Sequence, residues 1–253
     1  MTGELLIKIQ SRRRQDKKQI AVLIDPESSN TQDIIQLVRL SEDVGVDYFF
    51  VGGSTANHED MDAALTTLKE ISDIPTLIFP GSVQQLNNKA DGLLYLSLIS
   101  GRNPELLIGK HVESVPFLRK SNLEVIPTAY LLIDGGKEST VAYISNTTPI
   151  PAEKPDITVA TALAGQYLGM QLIYLEAGSG AKNAVAASTI TAVRQSTSVP
   201  LIVGGGIRTP EKAAIAAEAG ADIIVIGNIL EKDPNMITDL SIAVHTANTK
   251  SIV

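Results

Sequence analysis

Glu176 is the side chain best placed by its neighbours to do chemistry. It ends the apolar run Leu172–Leu175 and is followed at once by Ala177-Gly-Ser-Gly180. A carboxylate at the tip of a buried strand is costly unless it is paired or used. Beside a glycine–serine loop that can hold a polar ligand, it suits a general base that takes a proton from a substrate hydroxyl. A structural ion pair is the other reading. Tyr174, on the same run, serves either the core or, through its hydroxyl, the ligand.

Two more apolar runs end in glycine. Leu201-Ile-Val-Gly-Gly-Gly-Ile-Arg208 stops at three of them, and Ile223-Ile-Val-Ile-Gly-Asn228 stops at Gly227 and Asn228. Without a Cβ, a glycine N–H can reach a phosphate oxygen. Thr209 and Pro210 then open a helix, whose N-terminus adds partial positive charge. Gly205, Gly206, Gly227 and Asn228 are therefore expected to form a phosphate cup. A third feature is the pair Asp25, in Asp25-Pro-Glu27, and Ser54, in Gly52-Gly-Ser-Thr55. A carboxylate and a hydroxyl, joined by water and phosphate oxygens, suit Mg²⁺. Alternatively, Asp25 caps the next helix and Ser54 ends a turn.

These residues need a frame that brings strand ends together. Strand-like runs occur at Ile20–Ile24, Asp47–Val51, Thr76–Phe79, Gly92–Ile99, Leu123–Pro127, Leu172–Leu175, Leu201–Val203 and Ile223–Ile226. They are near-continuous apolar runs, as parallel strands buried on both faces require. Helical patterns separate most of them: Thr31–Asp43, Glu59–Ile71, Pro104–Lys120, Ile157–Gly169, Asn183–Ser196, Pro210–Ala219 and Asn235–Thr246. The alternation predicts an α/β chain folded as one (β/α)₈ barrel domain over residues 1–253, with the site at the C-terminal strand ends. A faint repeat agrees: Glu42–Gly52 and Glu218–Gly227 both read as a helix end, a glycine, an aspartate and a strand ending in glycine.

The pattern breaks in two places. Between strands three and four, Pro80–Asp91 is too short for a full covering helix, so a strip of barrel wall is left open to a ligand. After strand five, Ala129–Asp134 continues apolar and Val141–Ser145 reads as another strand. The proline-rich stretch Asn146–Pro155 then reads as a stiff lid over the mouth.

Composition narrows the function. The chain has 253 residues, 44% of them apolar, no cysteine and a formal charge of −7. Disulfides and thiolate metal sites are excluded. His58, His111 and His245 are scattered, without zinc-ligand spacing. The acidic balance argues against nucleic acid. Arg12–Arg14 with Lys17 and Lys18 is expected to form a solvated face, with at most peripheral membrane contact. No apolar run reads as a signal peptide or a bilayer span, so a soluble cytoplasmic protein is expected.

The strand-end motifs, taken in order, resemble one family. Leu23-Ile-Asp-Pro-Glu27, Phe50-Val-Gly-Gly-Ser54, Phe79-Pro-Gly81, Tyr174-Leu-Glu-Ala-Gly-Ser-Gly-Ala181, Val203-Gly-Gly-Gly-Ile-Arg208 and Gly227-Asn228 are similar to geranylgeranylglyceryl and heptaprenylglyceryl phosphate synthases. The likeness spans nearly the whole chain. Some members carry a lysine shortly before the Asp-Pro pair, where this chain has Ala21-Val-Leu-Ile24.

The resemblance implies a modified barrel in which the third helix is replaced, leaving a groove for a prenyl chain. It implies ether-bond formation between sn-glycerol 1-phosphate and a polyprenyl diphosphate, geranylgeranyl diphosphate first among them, with release of diphosphate. By the same resemblance Asp25 and Ser54 hold Mg²⁺. Tyr174, Leu175, Glu176, Ala177, Gly178, Ser179, Gly180, Gly205, Gly206, Gly227 and Asn228 hold glycerol phosphate, with Glu176 and Tyr174 at the reacting hydroxyl. A homo-oligomer is implied as well. The competing readings are another phosphate-binding barrel, such as a sugar-phosphate isomerase or a flavin oxidoreductase, and a barrel that binds a phosphate ligand without catalysis. None of these needs a long apolar groove.

Overall fold

The computed structural model describes residues 3–247. Eight parallel strands close into a barrel in chain order. They are β1 (Gln19–Ile24), β2 (Tyr48–Val51), β3 (Thr76–Ile78), β4 (Gly92–Leu98), β5 (Glu124–Leu132), β6 (Leu172–Glu176), β7 (Leu201–Gly204) and β8 (Ile223–Ile226). Closure runs through β8 on β1, from Gln19 opposite Ile223 to Val22 opposite Ile226. The helices are α1 (Glu4–Arg14), α2 (Thr31–Asp43), α3 (His58–Ile71), α4 (Lys110–Leu118), α5 (Thr140–Ser145), α6 (Pro155–Tyr167), α7 (Ala187–Ser196), α8 (Pro210–Glu218), α9 (Asn228–Lys232) and α10 (Met236–His245).

Side chains alternate across each strand, which divides the core in two. Ala21, Tyr48, Phe50, Leu77, Leu94, Ile126, Tyr174, Ile202 and Val225 fill the barrel interior. Ile20, Val22, Phe49, Val51, Ile173, Leu175 and Val203 face the helices. Leu5, Leu6 and Ile9 of α1 join the interior group, so α1 plugs the end of the barrel opposite the site.

Polar groups fasten that plug. The Glu124 carboxylate accepts from the N–H groups of Leu5 at 2.8 Å and Leu6 at 2.9 Å, satisfying two free donors at the helix start. Arg12 reaches the buried Asp47 at 2.5 Å, and Arg13 reaches Asp222 at 3.4 Å. The basic cluster is therefore not simply a solvated face: its first two arginines close the barrel floor. Asp47, Asp91 and Asp222 lie just ahead of β2, β4 and β8. They accept from the N–H groups of Ile20, Thr76 and Leu201 at 2.9, 2.8 and 2.8 Å. This recurring clamp accounts for the aspartate in the internal repeat.

The segment between β3 and β4 holds one 3₁₀ turn, Val83–Gln85, where a covering helix would stand. Elsewhere four expectations change. β5 does not stop at Pro127 but continues to Leu132. Val141–Ser145 is helix α5 rather than strand, because Ser139 accepts from the Ala142 N–H at 3.3 Å and starts a helical turn. The 146–155 stretch is no lid over the mouth. Its buried Ile150 pairs in parallel with Ile133 beyond β5. The long helical pattern at Pro104–Lys120 is a π-helical turn, Glu105–Gly109, running into α4.

Candidate active site

The C-terminal ends of the strands enclose a cavity of about 220 Å³. Its wall brings together Asp25, Ser54, Tyr174, Glu176, Ser179, Gly205, Gly206, Gly227 and Asn228, residues drawn from the ends of β1, β2, β6, β7 and β8. Four other expected contacts do not line it. Leu175 and Ala177 belong to the layer between barrel and helices, because alternation turns them away from the interior. Gly178 and Gly180 lie in the loop after β6, on either side of the lining Ser179. Gly178 still acts on the site by donating its N–H to Glu176 Oε1 at 2.7 Å.

Glu176 is buried, and burial pushes its carboxyl up to about 7. The Gly178 N–H and the nearby Tyr174 hydroxyl favour the charged form and hold the rise in check. A carboxyl poised near neutrality can take up a proton and release it again. Gly205 shows how tightly this group is housed. Its φ of +82° belongs to the left-handed region, and a Cβ there would overlap Glu176 Oε1. The Tyr174 hydroxyl is buried without a hydrogen bond of regular geometry. The ring packs against Phe79 and Tyr130, with centroids 5.4 and 5.3 Å away. These three aromatics line the cavity together with Glu176.

On the opposite wall Asp25 is half-buried. Burial raises its pKa, and the Glu27 N–H, donating to Oδ1 at 3.1 Å, opposes that rise. The Glu27 carboxylate accepts a short hydrogen bond from Thr55, tying the loop after β1 to the loop after β2. The cavity lining is acidic overall: Asp25, Glu176 and Glu231 face a single cation, Arg208. Arg208 donates to the Ala181 carbonyl at 2.6 Å and so braces the 177–181 loop. No group of three or more histidine and carboxylate ligands is arranged for a metal among the described residues.

A second cavity, of about 80 Å³, shares Pro80, Gly81 and Leu96 with the first. Val83, Leu86, Leu93 and Leu106 give it an apolar wall. It occupies the gap left by the missing helix, between the 83–85 turn and α4. The polar cup therefore adjoins an apolar groove.

Several lining residues had not been read from the sequence. Tyr130 was hidden by ending strand five early; alternation carried on from Ile126 would have turned it inward. Thr140 and Val141 reach the cavity from α5. Arg208 closes the glycine motif after β7, which assigns it no role of its own, and Glu231 carries no local signal.

A model of the PcrB family matches residues 12–245. The geranylgeranylglyceryl phosphate synthase of Chitinophaga pinensis is 52% identical over 230 residues, covering 91% of each chain. That of Thermococcus kodakarensis is 46% identical over 212 residues, covering 83% of each. The crystal structure of (S)-3-O-geranylgeranylglyceryl phosphate synthase from Thermoplasma acidophilum, in complex with substrate sn-glycerol-1-phosphate, superposes with a TM-score of 0.91. It is 35% identical and covers 97% of this chain and 99% of that one. Agreement of this extent, over the same strand ends that form the cavity, places the chain in the PcrB family, the geranylgeranylglyceryl and heptaprenylglyceryl phosphate synthases that its motifs resemble.

Proposed function

We propose that this protein transfers a prenyl group from a polyprenyl diphosphate, geranylgeranyl diphosphate first among them, to a hydroxyl of sn-glycerol 1-phosphate. The observation that carries the reading is the buried carboxylate of Glu176, set in a glycine-lined cup that adjoins an apolar groove. A sugar-phosphate isomerase or a flavin enzyme has no use for that groove. The named relatives and the glycerol-phosphate complex of the Thermoplasma acidophilum enzyme support the same assignment.

The chemistry follows from placement. Gly205, Gly206, Gly227 and Asn228 bind the acceptor's phosphate, and Ser179 adds a hydroxyl beside Asn228. Glu176 orients the attacking hydroxyl. As its oxygen bonds to the allylic carbon, the carbon–oxygen bond to diphosphate breaks and the electron pair leaves with diphosphate. The hydroxyl proton passes to Glu176. The prenyl chain lies along Leu86, Leu93 and Leu106.

The donor side suits Mg²⁺. Three carboxylates and one arginine line a cup that must take two polyanions, so positive charge has to come with the substrate. Mg²⁺ is commonly held by one or two carboxylates plus substrate phosphates, which fits a site with no larger cluster of ligands. Asp25 and Ser54 would hold the ion, and when bound it would neutralise charge on the leaving diphosphate.

The test is incubation of labelled glycerol 1-phosphate with prenyl diphosphates of graded length. The expected product is a lipid-soluble ether that resists alkaline hydrolysis. Absence of such a product with every donor would refute the reading.

A further inference from the structure

We propose that Gln85, in the single turn that replaces the third helix, is a positioning residue for the donor half of the site; this rests on the transferase reading above. Gln85 is 0% exposed, whereas its neighbour Gln84 is on the surface. Burying an uncompensated amide is unfavourable. Here the amide is used up on backbone groups of the loop after β2 and of its own loop after β3. Nε2 donates to the Gly53 carbonyl at 2.7 Å and to the Ala56 carbonyl at 2.9 Å. Oε1 accepts from the Gly81 N–H at 2.8 Å. One side chain thus fastens the loop after β2 to the loop after β3.

That fastening bears on the candidate ligands of the diphosphate. Gly53 and Ser54 are adjacent in the strapped loop. A Cβ on Gly53 would come within 2.8 Å of both Asp25 carboxylate oxygens, so this backbone fixes where the carboxylate lies. A Cβ on Gly81 would overlap the Gly53 carbonyl, so the two loops meet backbone to backbone. The turn itself is held from behind by His58, whose Nδ1 donates to the Gln84 carbonyl at 3.1 Å. In a complete barrel unit a long helix would hold these loops by packing. Here the helix is gone, its place is the apolar groove, and the two bonds that Gln85 donates across to the loop after β2 do the holding, while the Gly81 N–H orients its amide. The acceptor half is braced separately, by Arg208 on the Ala181 carbonyl.

The experiment compares wild type with Gln85→Met and Gln85→Glu. The first keeps the volume and removes all three bonds. The second keeps an acceptor for the Gly81 N–H but turns a negative oxygen on the Gly53 and Ala56 carbonyls. Measured are kcat and KM for geranylgeranyl diphosphate and for glycerol phosphate, the Mg²⁺ concentration giving half the maximal rate, and Tm. A displacement of about 1 Å at a reacting centre can cost on the order of 10²-fold, so kcat/KM for the donor should fall by about that factor in both variants while KM for glycerol phosphate stays within about twofold. The Mg²⁺ requirement should rise alongside. Equal rises in KM for both substrates, unchanged donor kinetics with a lowered Tm, or failure of both variants to fold would each overturn the positioning role in favour of a purely structural one. A wild type that forms no ether product would overturn the transferase reading, and this proposal with it.

Discussion

Replacing Glu176 with glutamine should change rate and stability in different pH ranges. Glutamine keeps the size and most of the hydrogen bonding but cannot accept a full proton. Loss of a general base costs about 10²–10⁴-fold in rate, so kcat should fall by that much. On the proposed mechanism the carboxylate is the active form, so kcat/KM should rise as pH increases through about 7, and the variant should lack this limb. The stability effect has the opposite sense. The folded protein holds the Glu176 proton up to about 7, whereas the unfolded chain releases it near 4.5. The fold is therefore favoured below the lower value and loses that advantage as pH rises through the higher one. Forcing the buried group to ionise is worth about 3 kcal/mol at alkaline pH. For a chain of this size that corresponds to a Tm change of about 6–12 °C. Tm of Glu176→Gln minus Tm of wild type, measured by calorimetry at about pH 5 and again at about pH 8.5, should therefore increase with pH by roughly that amount. Parallel Tm curves would show that the carboxylate ionises in the fold without penalty. An unchanged kcat would remove Glu176 from the reaction altogether.

Asp25→Asn should abolish turnover while leaving Tm nearly unchanged; a near-wild-type rate at limiting Mg²⁺ would remove Asp25 from the donor site. Gly227→Ala places a Cβ no closer than 3.5 Å to its nearest neighbour, Leu23, so it should raise KM for glycerol phosphate with a smaller loss of Tm than a substitution at Gly206. Gly206→Val should instead lower Tm, because Gly206 has φ +70° and its Cβ would meet the Asn183 carbonyl oxygen at 2.7 Å, a backbone clash rather than a crowded phosphate. Matching effects of these two substitutions on KM and Tm would count against the distinction. Arg12→Ala leaves Asp47 without its guanidinium partner, which should cost about 2 kcal/mol with kcat unchanged; an unaltered Tm would refute the plug role of α1.

The barrel was legible because strands buried on both faces must be apolar throughout. Ile20–Ile24 and Ile223–Ile226 fall within β1 and β8 for that reason. The cup was legible because strand-end glycines stand out from the β-branched runs before them. Within the 174–180 motif only Tyr174, Glu176 and Ser179 line the cavity. A strand alternates, so Tyr174 and Glu176 face inward and Leu175 faces the helices. The region after β5 was misread because Val141–Ser145 has β-favouring residues, and only the Ser139 cap identifies a short helix. The arginine pairs of α1 were out of reach, since Asp47 and Asp222 lie far along the chain. Gln85 was equally silent: nothing local separates it from the exposed Gln84.

The two oddities of the chain, a missing helix and a buried acid, answer one physical requirement. The reaction joins a small dianion to a long hydrocarbon, and no single lining suits both. A barrel mouth supplies glycine amides for the anion but no length of apolar wall, because helices normally cover the outside of every strand. Shortening the third connection to the 83–85 turn leaves a groove along Leu93 and Tyr95, on the helix-facing side of β4, and lets the apolar wall begin at the edge of the cup. The same deletion removes the packing that would have steadied the loops after β2 and β3, which is where buried hydrogen bonds take over. On the proposed mechanism, Glu176 then works from a buried position. Burial raises its pKa toward neutrality, which would give the carboxylate enough basicity to take a proton from a hydroxyl at the moment the new bond forms.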